Sequence, residues 1–320
     1  WAPWATATEQ ALIKGQRNDG DVCTYRGSWD PADPWGEDGG RIYSTAMCVL
    51  ILQAPYRFPA LPADRSDLLD TLGRKDRPTA ERVRLLEAVA AYRVPHAQKK
   101  LLPWTKAKDA GTRAAAARAL AACRPDGRGA QVLARLLMAD ASAAVRLEAA
   151  LGIGRADAPA AAVLGALEQG AKDADLRVRL ATLHTLRGYG RKATPATPAI
   201  QPLITHADPA VRVAAAGALR RIAPETPGIE DTLLESLRAK EVPVRVQAAT
   251  FLAADEPRSP AVDQALGEAL GDKSVRVRVE AARGLVGMLE HADALRAALD
   301  AGLAATDLET RLSSVGLAAD

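Results

Sequence analysis

Residues 208–219 read Asp208-Pro209-Ala210-Val211-Arg212-Val213-Ala214-Ala215-Ala216-Gly217-Ala218-Leu219, and this stretch decides the fold. Counted from Arg212, Val211, Ala215 and Leu219 fall at −1, +3 and +7, a spacing that gathers them on one face of an α-helix. Asp208 stands where a carboxylate can accept from the free N–H groups of the first turn, and so reads as the N-cap. The alanines at +3 and +4 let a neighbouring helix approach closely, and the leucine at +7 fills the remaining gap.

The same chemistry returns every 33 residues, at Arg113, Arg146, Arg179, Arg212, Arg245, Arg278 and Arg311. Four positions earlier stand Asp109, Ser142, Asp175, Asp208, Glu241, Ser274 and Asp307, and all but Glu241 are good N-cap residues. Valine recurs at −1 (Val145, Val178, Val211, Val244, Val277), and alanine pairs recur at +3 and +4. Leu120, Ile153, Leu186, Leu219, Leu252 and Leu285 occupy +7. A first helix precedes each of these second helices, over spans such as 130–138, 160–167, 230–237 and 261–270. Pro159, Pro198, Pro227 and Pro260 lie at or near their first turns, where a missing N–H costs little. A hairpin of 33 residues cannot bury its apolar face alone, so neighbours must stack. The expected fold is all-α, an α-solenoid of about seven such hairpins over residues 97–320.

These residues resemble HEAT repeats, in particular the short bacterial HEAT_2 or phycobilisome-lyase-like kind. Its core pattern, Asp-x-x-Val-Arg-x-x-Ala-Ala-x-Ala-Leu, is matched by residues 208–219. A degenerate unit is expected around Thr79–Val94. Ankyrin repeats share the period, but their Thr-Pro-Leu-His signature is absent.

The chain changes character near residue 60. Trp1, Trp4, Tyr25, Trp29, Trp35, Tyr43, Tyr56 and Phe58 crowd the start, whereas beyond residue 110 the aromatics are Tyr189 and Phe251. Residues 1–62 are therefore read as a separate segment and 63–96 as a linker with the degenerate repeat, since Pro59, Pro62 and Asp64 break helices. Gln16, Gly27-Ser28-Trp29, Gly39 to Ala46 and the apolar run Met47–Leu52 resemble the last repeat of an α/α-toroid, as in terpene cyclases and protein prenyltransferases. The resemblance covers about one repeat, with the rest of the toroid expected upstream of residue 1. Where prenyltransferase β-subunits carry a zinc-ligand His, this sequence has Ser44, and the Asp-x-Asp-Asp acid of squalene cyclases is missing. Asp30, Asp33 and Asp38 lie in a Gly/Pro loop and read as solvated turn formers.

Composition bounds the chemistry. In 320 residues, 48% are apolar and 25% charged, which fits a folded chain, and 4% are aromatic, so alanine and leucine do the packing. A net charge of +3 gives no strong pull toward nucleic acid or anionic membrane. No apolar run approaches the roughly 20 residues a membrane-spanning helix needs. Cys23, Cys48 and Cys123 do not make a disulfide scaffold, although Cys23 and Cys48 could pair. His96, His184, His206 and His291 are far apart, without a Cys or carboxylate at zinc spacing, so no metal, cofactor or catalytic residue is expected. No nucleophile elbow, phosphate loop or dinucleotide fingerprint occurs.

Two readings of the seven arginines stay open. They could form a structural ladder paired with Asp140, Asp173, Asp208 or Asp272, or they could line a groove for an acidic partner or a phosphate backbone. The expectation is a non-enzymatic scaffold binding another protein, or a structural subunit of a larger bacterial assembly. The alternatives are a lyase or isomerase of the phycobilisome-lyase-like type, or a nucleic-acid-binding HEAT protein. Partners are expected to be proteins rather than nucleic acid or metal. The chain opens Trp1-Ala2-Pro3-Trp4, which reads as part of a longer protein. Export to the periplasm or cell surface is slightly favoured over the cytoplasm, by resemblance to toroid-and-HEAT proteins of high-GC bacteria.

Overall fold

The computed structural model describes residues 65–73, 77–94, 96–156, 161–254, 258–286, 288 and 291–319, together with Gln10 and Lys14. The toroid-like segment 1–62, the loop of Asp30, Asp33 and Asp38, and the Cys23–Cys48 pairing lie outside these residues. The chain divides into two units, Trp1–Arg74 and Lys75–Asp320. In the first, α1 (Arg65–Leu72) buries Leu68 and Leu72.

The second unit is a run of helical hairpins, and among the described residues every regular element is helical. Its second helices are α4 (Ala110–Ala122), α6 (Ala143–Ile153), α8 (Leu176–Tyr189), α10 (Pro209–Ile222), α12 (Val242–Ala253), α14 (Val275–Gly284) and α16 (Leu308–Ala319). Each packs on the next, and α2 (Thr79–Ala91) packs on α4 in the same way, so the degenerate segment supplies a second helix of its own. The first helices form a parallel layer: α5 (Gly127–Ala139), α7 (Ala161–Gly170), α11 (Ile229–Leu237), α13 (Pro260–Ala269) and α15 (Ala292–Leu303).

The core lies between the layers and is built from the repeated positions. The alanine pairs Ala116–Ala117, Ala149–Ala150, Ala215–Ala216, Ala248–Ala249 and Ala281–Ala282 are wholly buried, as are the +7 residues from Leu120 to Leu285. In the third hairpin Thr182 and Leu183 replace the alanines. Thr182 stays satisfied there because its hydroxyl donates to the Val178 carbonyl at 2.8 Å.

Two first helices are irregular, and proline is the reason. Where a single helix would follow α8, the chain runs as a 3-10 turn (Gly190–Ala196), a short α9 (Thr197–Ile200) and a second 3-10 turn (Gln201–Thr205). Pro195, Pro198 and Pro202 each remove an N–H from that run, so no continuous α-ladder forms. Pro103 similarly leaves the first helix before α4 as α3 (Gln98–Leu101) plus a 3-10 turn (Leu102–Lys106). One close crossing depends on glycine. A Cβ at Gly217 would lie 2.2 Å from the ring of Phe251, which reaches across from α12 and carries the Arg187 guanidinium 4.6 Å above its centroid.

Candidate functional site

The arginine row lies at the turns that lead into the second helices. Arg113 donates from Nε and Nη2 to both oxygens of Asp140 at 2.7 and 2.9 Å, and from Nη1 to the Ala107 and Lys108 carbonyls of its own turn. Arg146 holds Asp173 in the same way at 2.7 and 2.8 Å, and Arg245 holds Asp272 at 2.7 and 3.0 Å. The partner is thus the aspartate 27 residues ahead, in the next hairpin. That aspartate also accepts from the backbone N–H two residues on, as Asp140 does from Ser142 at 2.9 Å. The side-chain hydrogen bond from arginine holds each of these carboxyls below the usual carboxylate range, against the opposing effect of burial.

The row is interrupted. Opposite Arg179 stands His206, and opposite Arg212 and Arg278 stand Ala239 and Ala305. The Arg179 Nε is buried without a hydrogen-bond partner, while its Nη1 still donates to the Asp173 carbonyl at 3.1 Å. His206 keeps one of the aspartate's bonds, its Nδ1 accepting from the Asp208 N–H at 3.0 Å. That bond leaves the ring proton on Nε2, so His206 offers no second acceptor to an arginine. Asp208 is not a rung. It caps α10, accepting from Ala210 N–H at 2.9 Å.

The remaining cap positions divide by side-chain reach. Asp109, Asp175 and Asp307 accept from the N–H of Thr112, Arg177 and Thr310. A hydrogen bond from Arg177 pulls the Asp175 carboxyl down to about 2. Ser142 and Ser274 have the extended backbone of an N-cap, but their hydroxyls accept nothing from the helix. Asp126 and Ser259 cap first helices, a role the 33-residue pattern does not reveal because it aligns only the second helices.

The opposite ends of the second helices are arranged differently. Side by side they line a groove of about 900 Å3 that holds Arg93, Arg124, Arg155 and Lys192, with Cys123 and Tyr189 between them. All four basic side chains are exposed, and among the described residues none has an ion-pair partner and no carboxylate lines the groove. Arg93 and Arg124 close their helices in the left-handed region, at φ 46° and 52°. The Arg93 N–H donates to Ala90 and the Val94 N–H to Val89, a helix stop that usually takes glycine. Burial pushes the Cys123 thiol up, away from thiolate character. The groove was legible only in part, since Arg93, Arg124 and Arg155 stand 31 residues apart and fall out of step with the 33-residue anchor.

Among the described residues no cluster of three His, Cys, Asp or Glu side chains could hold a metal. Nor is any described helix long and apolar enough to cross a membrane.

Stacked hairpins with a core at fixed repeat positions define an all-α solenoid protein. Residues 164–249 match the HEAT_2 family model, HEAT repeats, and the hairpins on either side repeat the same helical pattern. The complex of CpcE and CpcF of phycocyanin lyase from Nostoc sp. PCC7120 matches with a TM-score of 0.51 at 21% identity, over 80% of this chain and 96% of that one. The Kap95:Nup1 complex matches with a TM-score of 0.50 at 12% identity, over 97% of this chain and 45% of that one. At these identities the likeness is one of fold. None of the curated proteins matches the sequence.

Proposed function

We propose that the chain is a scaffold that binds another protein along its solenoid and carries out no turnover of its own. The observation that carries this reading is the contrast between the two edges of the second-helix layer. One edge spends its arginines on the chain's own aspartates and carbonyls, whereas the other presents basic side chains that the chain leaves open. The similar solved structures named above are both complexes of two proteins, which accords with a binding surface built on this fold. The arginine row serves the stack itself, joining successive hairpins where Asp140, Asp173 and Asp272 stand.

Affinity purification of the tagged full chain after chemical cross-linking tests the proposal. A protein neighbour recovered in fixed stoichiometry, cross-linked to lysines of residues 97–320, is the expected result. Recovery of the chain without such a neighbour overturns it.

A further inference from the structure

We propose that the groove of Arg93, Arg124, Arg155 and Lys192 binds an extended acidic peptide segment of the protein partner, an inference that rests on the scaffold reading and names its surface. Four exposed cations along one groove, with no acid among its described lining residues, call for a ligand that brings carboxylates. The groove also lies at helix C-termini, where the helix dipoles place partial negative charge and where turn N–H groups and the Thr185 and Tyr189 hydroxyls already donate to several of the last carbonyls. A phosphate backbone offers acceptors and anions alone, which suits the guanidinium groups and opposes the carbonyls. A peptide spaces its charges along a neutral backbone, so glutamate or aspartate side chains can reach the bases while backbone N–H groups rather than anions face the helix ends.

The backbone provides an independent sign. Arg93 and Arg124 hold left-handed conformations that disfavour any residue with a Cβ, at a position glycine fills without strain. An arginine kept at the same helix stop in two successive hairpins puts a guanidinium at the groove despite that strain. Alanine and glycine surfaces between the bases leave room for the incoming chain, and no Cβ contact would lie within 4 Å at Gly188.

The test uses the full chain and a short fluorescein-labelled peptide of alternating glutamate and alanine. A glutamine-for-glutamate peptide and a single-stranded oligonucleotide serve as comparators. The glutamate peptide should bind in a salt-sensitive way and slow the site-resolved alkylation of Cys123, which lies in the groove. Arg124→Glu with Arg155→Glu should weaken that binding about tenfold or more, while reversing the exposed Arg128 and Arg135 on α5 should not. Arg124→Gly separates binding from folding, since it should raise the melting temperature and still weaken the peptide. Equal binding of the glutamine peptide, stronger binding of the oligonucleotide, or binding indifferent to Arg124 and Arg155 overturns the proposal. If the reversed chain still captures its cross-linked neighbour, the scaffold stands and the groove assignment falls.

Discussion

His206 stands where Asp140, Asp173 and Asp272 stand in other hairpins, and it keeps the backbone bond of those residues while losing the bonds to arginine. The intact rungs show what the site accepts, so His206→Asp should give Arg179 a two-point partner and satisfy its buried Nε. A gain of about 1–2 kcal/mol is expected, between an exposed ion pair and a well-shielded charged hydrogen bond. Urea midpoints measure it, and an unchanged or lower midpoint would show that the ring's packing outweighs the missing carboxylate. Removing a rung gives the converse. The folded-state pKa of Asp140 lies below the ordinary Asp value of about 3.9, so its contribution is complete above that pH and is lost as pH falls through the lowered value. Asp140→Asn should therefore be less stable at neutral pH by about 1–2 kcal/mol and lose less on acidification below about pH 4. Parallel unfolding curves for the two proteins down to acid pH would contradict that account.

Among the elements, the second helices were the most legible. Their −1, +3 and +7 positions face the same packed surroundings in each hairpin, so local pattern and burial agree from Ala116 to Leu285. The first helices were less so, because their proline content varies. Pro198 read as a helix opener, yet with Pro195 and Pro202 beside it the segment became two 3-10 turns around four α-helical residues. The rungs were legible as residue types and hidden as pairs. Asp140 is six residues before Arg146 in sequence but bonds Arg113 of the preceding hairpin, a partnership that only the stacking of hairpins creates. The crossing of α10 and α12 was hidden too, since glycine at 217 reads as a weak helix residue until Phe251 is seen lying on it. Gly217→Ala should gain helix propensity and still lose about 1–3 kcal/mol through the displaced ring. Thermal unfolding with and without Phe251→Leu checks this, because the smaller side chain should recover most of the loss.

From α2 to α8, where the groove lies, the two edges of the second-helix layer have opposite chemistry. One is tied hairpin to hairpin by Arg113–Asp140 and Arg146–Asp173, and further along the array by Arg245–Asp272, and the other carries the groove of Arg93, Arg124, Arg155 and Lys192. This separation lets charge act as cement on one side without saturating the bases on the other. The missing aspartate rungs at Arg179 and Arg212 fall together, and the proline-broken first helix lies within the same interval. A tensile load drawn along the array would accordingly concentrate its extension between residues 179 and 239, where the two-point arginine–aspartate latch is lacking twice running and Arg212 has only a 4.0 Å contact with the exposed Glu235 in its place. The hairpins latched at Asp140, Asp173 and Asp272 would hold longer, so the central interval would act as a mechanical fuse that yields before them.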